Sequence, residues 1–176
     1  MNFLETPLAG AYIIETRRHE DARGYFARMY CRNEFREIGL LDSFVQSNIS
    51  FNHKQGTLRG MHYQDDPYAE VKLVTCFAGE IYDVIVDVRR DSETYCSWFG
   101  VHLSSSNNKS LYIPKGFAHG FLTMQDDTLV HYQMGEFYKP EYARGIRWND
   151  PAFNIIWPGS IEIISEKDRT YPGFQV

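Results

Sequence analysis

The chain is 176 residues long, 43% hydrophobic and 15% aromatic, with 18 Lys+Arg against 23 Asp+Glu and a net charge of −5. That length fits about one domain, able to bury roughly 70% of its unfolded surface without disulfide staples, and the composition is enzyme-like rather than disordered. The acidic balance excludes an overall positive field that would draw in nucleic acid or anionic lipid, so an anionic ligand has to be met by a local basic cluster.

The N-terminal residues 1–7 lack the basic start and apolar run of a signal peptide, and no stretch approaches the roughly 18 apolar residues of a membrane span. Cys31, Cys76 and Cys96 are an odd set without CxxC spacing, which speaks for a reducing compartment and a cytoplasmic protein. Residues 11–14 are apolar and β-prone, an edge-strand liability unless paired, and therefore a hint of dimerisation. Residues 32–40 are the best helix candidate, with Asn33 as cap and Gly39 as stop. Strand signals dominate thereafter. Residues 72–77, the turn Ala78-Gly79-Glu80 and the alternating run 81–88 predict a hairpin. Further strands are predicted at 97–103, 110–113, 118–124 and 129–134, separated by turn-formers such as Pro114-Lys115-Gly116. Many short strands with regular turn punctuation mean an all-β sandwich or barrel, one domain over 1–176 with one or two short helices. Residues 138–176 read as a tail packed on the body, with Trp148 and Trp157 as anchors.

The densest chemical cluster is Gly56-Thr57-Leu58-Arg59-Gly60-Met61-His62-Tyr63-Gln64. In a regular strand residues 59 and 62 face opposite ways, so a bend at Gly60 is required if both serve one site. The second cluster, Pro114-Lys115-Gly116-Phe117-Ala118-His119-Gly120, delivers another histidine at a strand start. The spacing suggests two barrel walls with one histidine each. A lone histidine in a β domain is more often structural, and Lys72 and Asp83 can simply pair with each other at the hairpin. In a barrel interior, by contrast, Arg59, Lys72 and Asp83 would be costly unless paired or bound to ligand.

Leu-Arg-Gly-Met-His-Tyr-Gln, Pro-Lys-Gly-Phe-Ala-His-Gly-Phe, Tyr-Asp-Val-Ile-Val-Asp-Val-Arg and Arg-Gly-Ile-Arg-Trp-Asn-Asp-Pro-Ala-Phe together resemble the dTDP-4-dehydrorhamnose 3,5-epimerases, in the right order and nearly end to end. The resemblance implies a cupin-type jelly-roll β-barrel, a homodimer, a nucleotide-linked 4-keto-6-deoxy sugar as substrate, and no cofactor. It implies His62 as the base, Asp168 as the carboxylate that orients it, Tyr132 as the acid on the opposite face and Lys72 as a stabiliser of the enolate oxygen. Histidine ordinarily titrates near about 6.5, so an imidazole can accept a proton at working pH, whereas tyrosine, near about 10, is protonated and can donate. His119 and Asp83 resemble a second pair lining the pocket. Arg23 and Arg59 match positions for the diphosphate, for which forked guanidinium donors are suited. Gln46 and Asn48 match the nucleotide side, Lys167 the substrate-binding set, and Phe26 is a stacking candidate or a core residue. His131 should point away from Tyr132 by strand alternation.

The pattern is broken in places. Arg28 and Ala143 stand where many thymidine-type members carry Glu; at position 28 a donor-only group replaces an acceptor-only one. A CDP- or GDP-linked substrate is therefore an alternative. So is a metal-dependent cupin using His62, Glu70 and His119, although the usual His-x-His reads His62-Tyr63-Gln64 here and the expected metal content is none. A non-catalytic nucleotide-sugar binder is the third reading.

Overall fold

The computed structural model describes residues 1–175. Six strands form the first sheet: β1 (Asn2–Glu5), β2 (Tyr12–Glu15), β5 (Gln46–Asn52), β7 (Lys72–Ala78), β10 (Lys109–Ile113) and β12 (Thr128–Met134). Their spatial order is β1-β2-β10-β7-β12-β5. The second sheet runs β13-β6-β11-β8-β9, built from β6 (Thr57–Gln64), β8 (Glu80–Asp87), β9 (Trp98–Ser104), β11 (Phe117–Thr123) and β13 (Ala143–Gly145), with β14 (Ile163–Ile164) parallel to β6. A separate two-stranded ribbon joins β3 (Arg18–Asp21) to β4 (Gly24–Ala27). Two short helices, α1 (Arg32–Glu37) and α2 (Glu166–Arg169), complete the fold, and none is long and apolar enough to cross a membrane. The expected all-β, cupin-type jelly roll is thus present as two facing sheets.

Alternation decides which residues enter the space between the sheets. Val74, Cys76, Leu111, Ile113 and Val130 from the first sheet meet Ile81, Ile85, Leu103, Phe117 and Phe121 from the second. Each such aliphatic or aromatic side chain contributes roughly 1.5–3 kcal/mol on burial, and together they form the core between the two sheets.

Several local expectations are corrected. Strands β7 and β8 do not form a hairpin: Gly79, at φ +71, turns the corner between sheets, and β7 pairs with β10 and β12 while β8 pairs with β9 and β11. The inward faces of both strands are needed for opposite walls of the core. Residues 12–15 are not an edge, because β1 covers β2 on its free side and Ile14 is buried beneath α1. Helix α1 starts one residue ahead of Asn33, with Cys31 at the cap position and no side-chain cap, and Phe35 locks it onto the first sheet. In the C-terminal segment, Trp157 packs on the second sheet and donates Nε1–H to the Trp148 carbonyl at 3.1 Å. Trp148 is only half-buried; the buried anchors are Ile146 and Phe153.

Candidate active site

At the open end of the sandwich lies a cavity of about 690 Å³, lined from the first sheet by Asn48, Ser50, Lys72, Tyr132 and Met134 and from the second by Arg59, His62, His119 and Phe121. Such a volume suits a ligand of several linked rings. Glu70, Tyr138, Lys167 and Asp168 close its sides.

His62 and Arg59 reach the same cavity because β6 carries one extra residue against β11. His119 pairs with His62 but Phe121 with Arg59. Gly60 absorbs the bulge at φ +137, and a Cβ there would lie 2.5 Å from Gly120 Cα and 3.0 Å from the His119 carbonyl. The bend anticipated at Gly60 is thus present, and its second consequence was not foreseen: His62 and His119 sit side by side on neighbouring strands of one wall, not on two walls. The acid candidate Tyr132 stands on the facing sheet.

His62 Nε2 lies 2.6 Å from Asp168 Oδ1. An ionised carboxylate only accepts, so the shared proton belongs to Nε2 and Nδ1 presents a lone pair. Asp168 is held by two more contacts: Gly60 N–H donates to Oδ2 at 3.2 Å, and the Asp168 amide donates to Ser165 Oγ at 3.1 Å, the N-cap contact of α2. Burial pushes the Asp168 carboxyl up, but the His62 hydrogen bond and charge, the Gly60 amide and Ser165 outweigh it and hold it below the usual carboxylate range. Tyr132 is pushed far above its ordinary value, first by burial and then by the Asp83 charge, with Arg59 offsetting part of this. It is therefore a protonated phenol.

Lys72 is buried but does not pair with Asp83. Its ammonium lies 2.9 Å from Glu70 Oε1 and donates to the His62 carbonyl at 3.0 Å. His119 Nε2 lies 2.6 Å from Asp83 Oδ1. Asp83 itself has no exposed surface and sits behind His119, not in the lining, because β8 lies one strand further from the cavity mouth side of β6. Arg59 lines the cavity while its Nε donates to Asn52 Oδ1 at 2.7 Å. His131 points out of the sandwich, as alternation requires, and stacks on Phe77 at 4.8 Å.

Besides Asp83, four expected site residues are not in the lining. Gln46 is at the rim, where its Oε1 accepts from the Tyr138 amide at 2.9 Å. Arg23, Phe26 and Arg28 belong to the β3–β4 ribbon and the segment after it, which join neither sheet. Arg23 forks onto Asp21 at the ribbon tip, Arg28 pairs with Glu34 at 3.3 Å, and Phe26 is 70% exposed. Sequence reasoning missed Tyr138 altogether and considered Glu70 only as a metal ligand. Among the described residues no three His, Cys, Asp or Glu side chains gather in a way that could hold a metal ion; both histidines give Nε2 to a carboxylate and Glu70 faces Lys72.

The family model for dTDP-4-dehydrorhamnose 3,5-epimerase matches residues 5–175. The dTDP-4-dehydrorhamnose 3,5-epimerase of Methanothermobacter thermautotrophicus is 46% identical over 96% of this chain and 92% of its own length. The crystal structure of the enzyme of that name from Elizabethkingia anophelis superposes with a TM-score of 0.96 at 41% identity, covering 99% of this chain and 96% of that one. Its counterpart from Bacillus anthracis, solved with TDP and PPi bound, gives 0.95 at 42% identity over 98% and 99%. These relatives carry thymidine-linked names and lend a CDP- or GDP-linked substrate no support. With a two-sheet fold, an aspartate-held histidine and an opposed tyrosine in one cavity, the chain belongs to the dTDP-4-dehydrorhamnose 3,5-epimerase family.

Proposed function

We propose that this chain is an isomerase that inverts C3 and C5 of dTDP-4-dehydro-6-deoxyglucose to give dTDP-4-dehydrorhamnose, in deoxysugar biosynthesis. The observation that carries this reading is that His62, backed by Asp168, and Tyr132 line one cavity from facing sheets. The C4 ketone acidifies the hydrogens on C3 and C5, because the charge left behind is delocalised onto the carbonyl oxygen. His62 removes such a proton; Asp168 keeps the imidazole in the accepting tautomer and stabilises the imidazolium. Lys72 donates to the enolate oxygen, where a preorganised cation acts most strongly in a dry site. Tyr132 returns a proton from the other face, and repetition at the second carbon completes the reaction.

His119, locked by Asp83 through Nε2, contributes a fixed Nδ1 acceptor for a sugar hydroxyl. Arg59, Lys167 and Asn48 serve the diphosphate and nucleoside, and the exposed ring of Tyr138 offers a face for the base at the rim. Arg23, Phe26 and Arg28 lie outside the cavity of their own chain, so the nucleotide side is completed by a second copy. The exposed apolar side chains Ile49, Phe51 and Phe77 on the outer face of the first sheet, next to Phe26, supply the surface on which a homodimer would form. We read residues 1–176 as one domain, and the three free cysteines fit work in the reducing cytoplasm.

The test is incubation in D₂O with dTDP-, CDP- and GDP-linked 4-keto-6-deoxyglucose. Deuterium at both C3 and C5 of the dTDP sugar is expected. Label at C3 alone would reduce the activity to a 3-epimerase, a migrated carbonyl would make the enzyme a ketoisomerase, and no label at all would leave a binding protein. Sedimentation of the wild type against Phe77→Glu tests the dimer.

A further inference from the structure

The proton-transfer scheme leaves one half of a buried ion pair unused. Glu70, on the loop that enters β7, lines the cavity with its side chain 7% exposed, and its Oε1 is taken up by Lys72. Its Oε2 is buried and has no hydrogen-bond partner among the described residues. A carboxylate oxygen can only accept, and an orphaned buried acceptor at a ligand cavity calls for a donor from the ligand. We propose that Glu70 is a substrate-binding residue whose Oε2 accepts the hydroxyl on C3 of the 4-keto sugar.

This rests on the epimerase reading, and the chemistry of the sugar narrows the partner. The anionic Oε2 cannot face the C4 oxygen, which is itself an acceptor and becomes negative in the enolate. Lys72 takes that oxygen. Of the two carbons beside C4, C5 carries a methyl group and the ring oxygen, whereas C3 carries a hydroxyl. The C3 hydroxyl is thus the donor next to the atom that Lys72 holds, and one carboxylate spanning Lys72 and that hydroxyl matches the vicinal spacing of the two sugar oxygens. The second oxygen also gives the site a direction. Inversion at C3 swings the hydroxyl to the other face of the ring, so Glu70 grips the two C3 epimers differently, while inversion at C5 leaves its partner in position. Glu70 therefore weights the C3 step.

The experiment is a cycle of enzyme and substrate changes. Wild type, Glu70→Ala and Glu70→Gln are each given the dTDP-linked 4-keto-6-deoxyglucose and its 3-deoxy counterpart, and kcat/KM is read from deuterium uptake at C5, which both sugars retain. Removing the hydroxyl should lower the wild-type value about ten- to a hundredfold, the range of a hydrogen bond to a charged acceptor. In Glu70→Ala the parent sugar should already show a loss of that order, and the 3-deoxy sugar a further loss of at most about threefold. Equal penalties for the 3-deoxy sugar in wild type and Glu70→Ala overturn the proposal and leave Glu70 as a support for Lys72. Should Glu70→Ala not fold, Glu70→Gln carries the same cycle: its neutral acceptor should shrink the penalty severalfold, and an unchanged penalty overturns the proposal. Absence of deuterium from the parent sugar with wild type would instead overturn the epimerase reading on which Glu70's role rests.

Discussion

His62 and His119 are cross-strand neighbours, and each has its Nε2 2.6 Å from an aspartate oxygen. The side chain of His62 is 44% exposed to the cavity, while that of His119 is 5% exposed. Their partners also differ in origin. Asp83 sits on the adjoining strand β8, in register with the sheet, whereas Asp168 arrives on α2, 106 residues after His62. The same pair of residue types is thus built once as an accessible base with a remote orienting group and once as a sealed, fixed imidazole within the sheet. Exposure to substrate, and not the hydrogen bond, separates the two functions.

Breaking the first pair at the histidine should have the largest effect. His62→Asn should lower kcat by roughly 10²–10⁴, the range of a positioned base, and abolish deuterium uptake at both carbons, while His119→Asn should retain uptake at a reduced rate. Similar rates for the two variants would erase the distinction between the pairs.

Asp168→Asn should lower kcat on the order of 10²-fold with a small loss of stability. The Asp168 carboxyl sits below the unfolded value of 3.8, so it stabilises the fold above that value, and the contribution disappears as the pH falls through the unfolded value towards the folded one. Denaturant melts from pH about 5 to about 3 should therefore show wild type losing ground to Asp168→Asn. Tyr132, held above its ordinary value, should leave kcat without a basic limb from its own ionisation up to pH about 10.

Gly60→Ala sharpens the comparison geometrically. The added methyl would collide with the backbone of Gly120 and strain a left-handed residue, which should cost about 2 kcal/mol or more. It should also misalign Arg59 and His62 while sparing the His119–Asp83 pair; near-UV circular dichroism, melting and kcat/KM would be measured together.

The smallest effect on rate is expected from Asp83→Asn. Its carboxylate is wholly buried, so the variant should lose stability, about 1–3 kcal/mol, more than turnover, the reverse of Asp168→Asn. A larger loss of kcat from Asp83→Asn than from Asp168→Asn would show that the sealed pair belongs to the proton-transfer machinery.

Strand positions were legible because period-two alternation and turn residues are local properties: the predicted runs at 97–103, 110–113, 118–124 and 129–134 each coincide with a strand to within a residue or two. Strand partners were not legible. Ala78-Gly79-Glu80 reads the same whether it closes a hairpin or turns a corner between sheets, and only competition for the core between Val74, Cys76 and Ile81, Ile85 selects the corner. The site shows the same division. Gly60 announced a bend, but the resulting adjacency of His62 and His119 depends on the register with β11. Asp168 and Lys167 were reachable only through family resemblance, since nothing local ties α2 to β6. Glu70 carried one signal, an acidic residue two before Lys72, and Tyr138 was one tyrosine among twelve.

Residue order alone determined the fold class, the pieces of strand and the chemical types available for catalysis, because each is written in neighbours a few positions apart. Tertiary structure decided which imidazole meets the cavity, which carboxylate backs it and which oxygen of Glu70 is left without a donor. Those outcomes follow from how two sheets and a returning tail exclude water, and such exclusion depends on chain segments that a local pattern does not join.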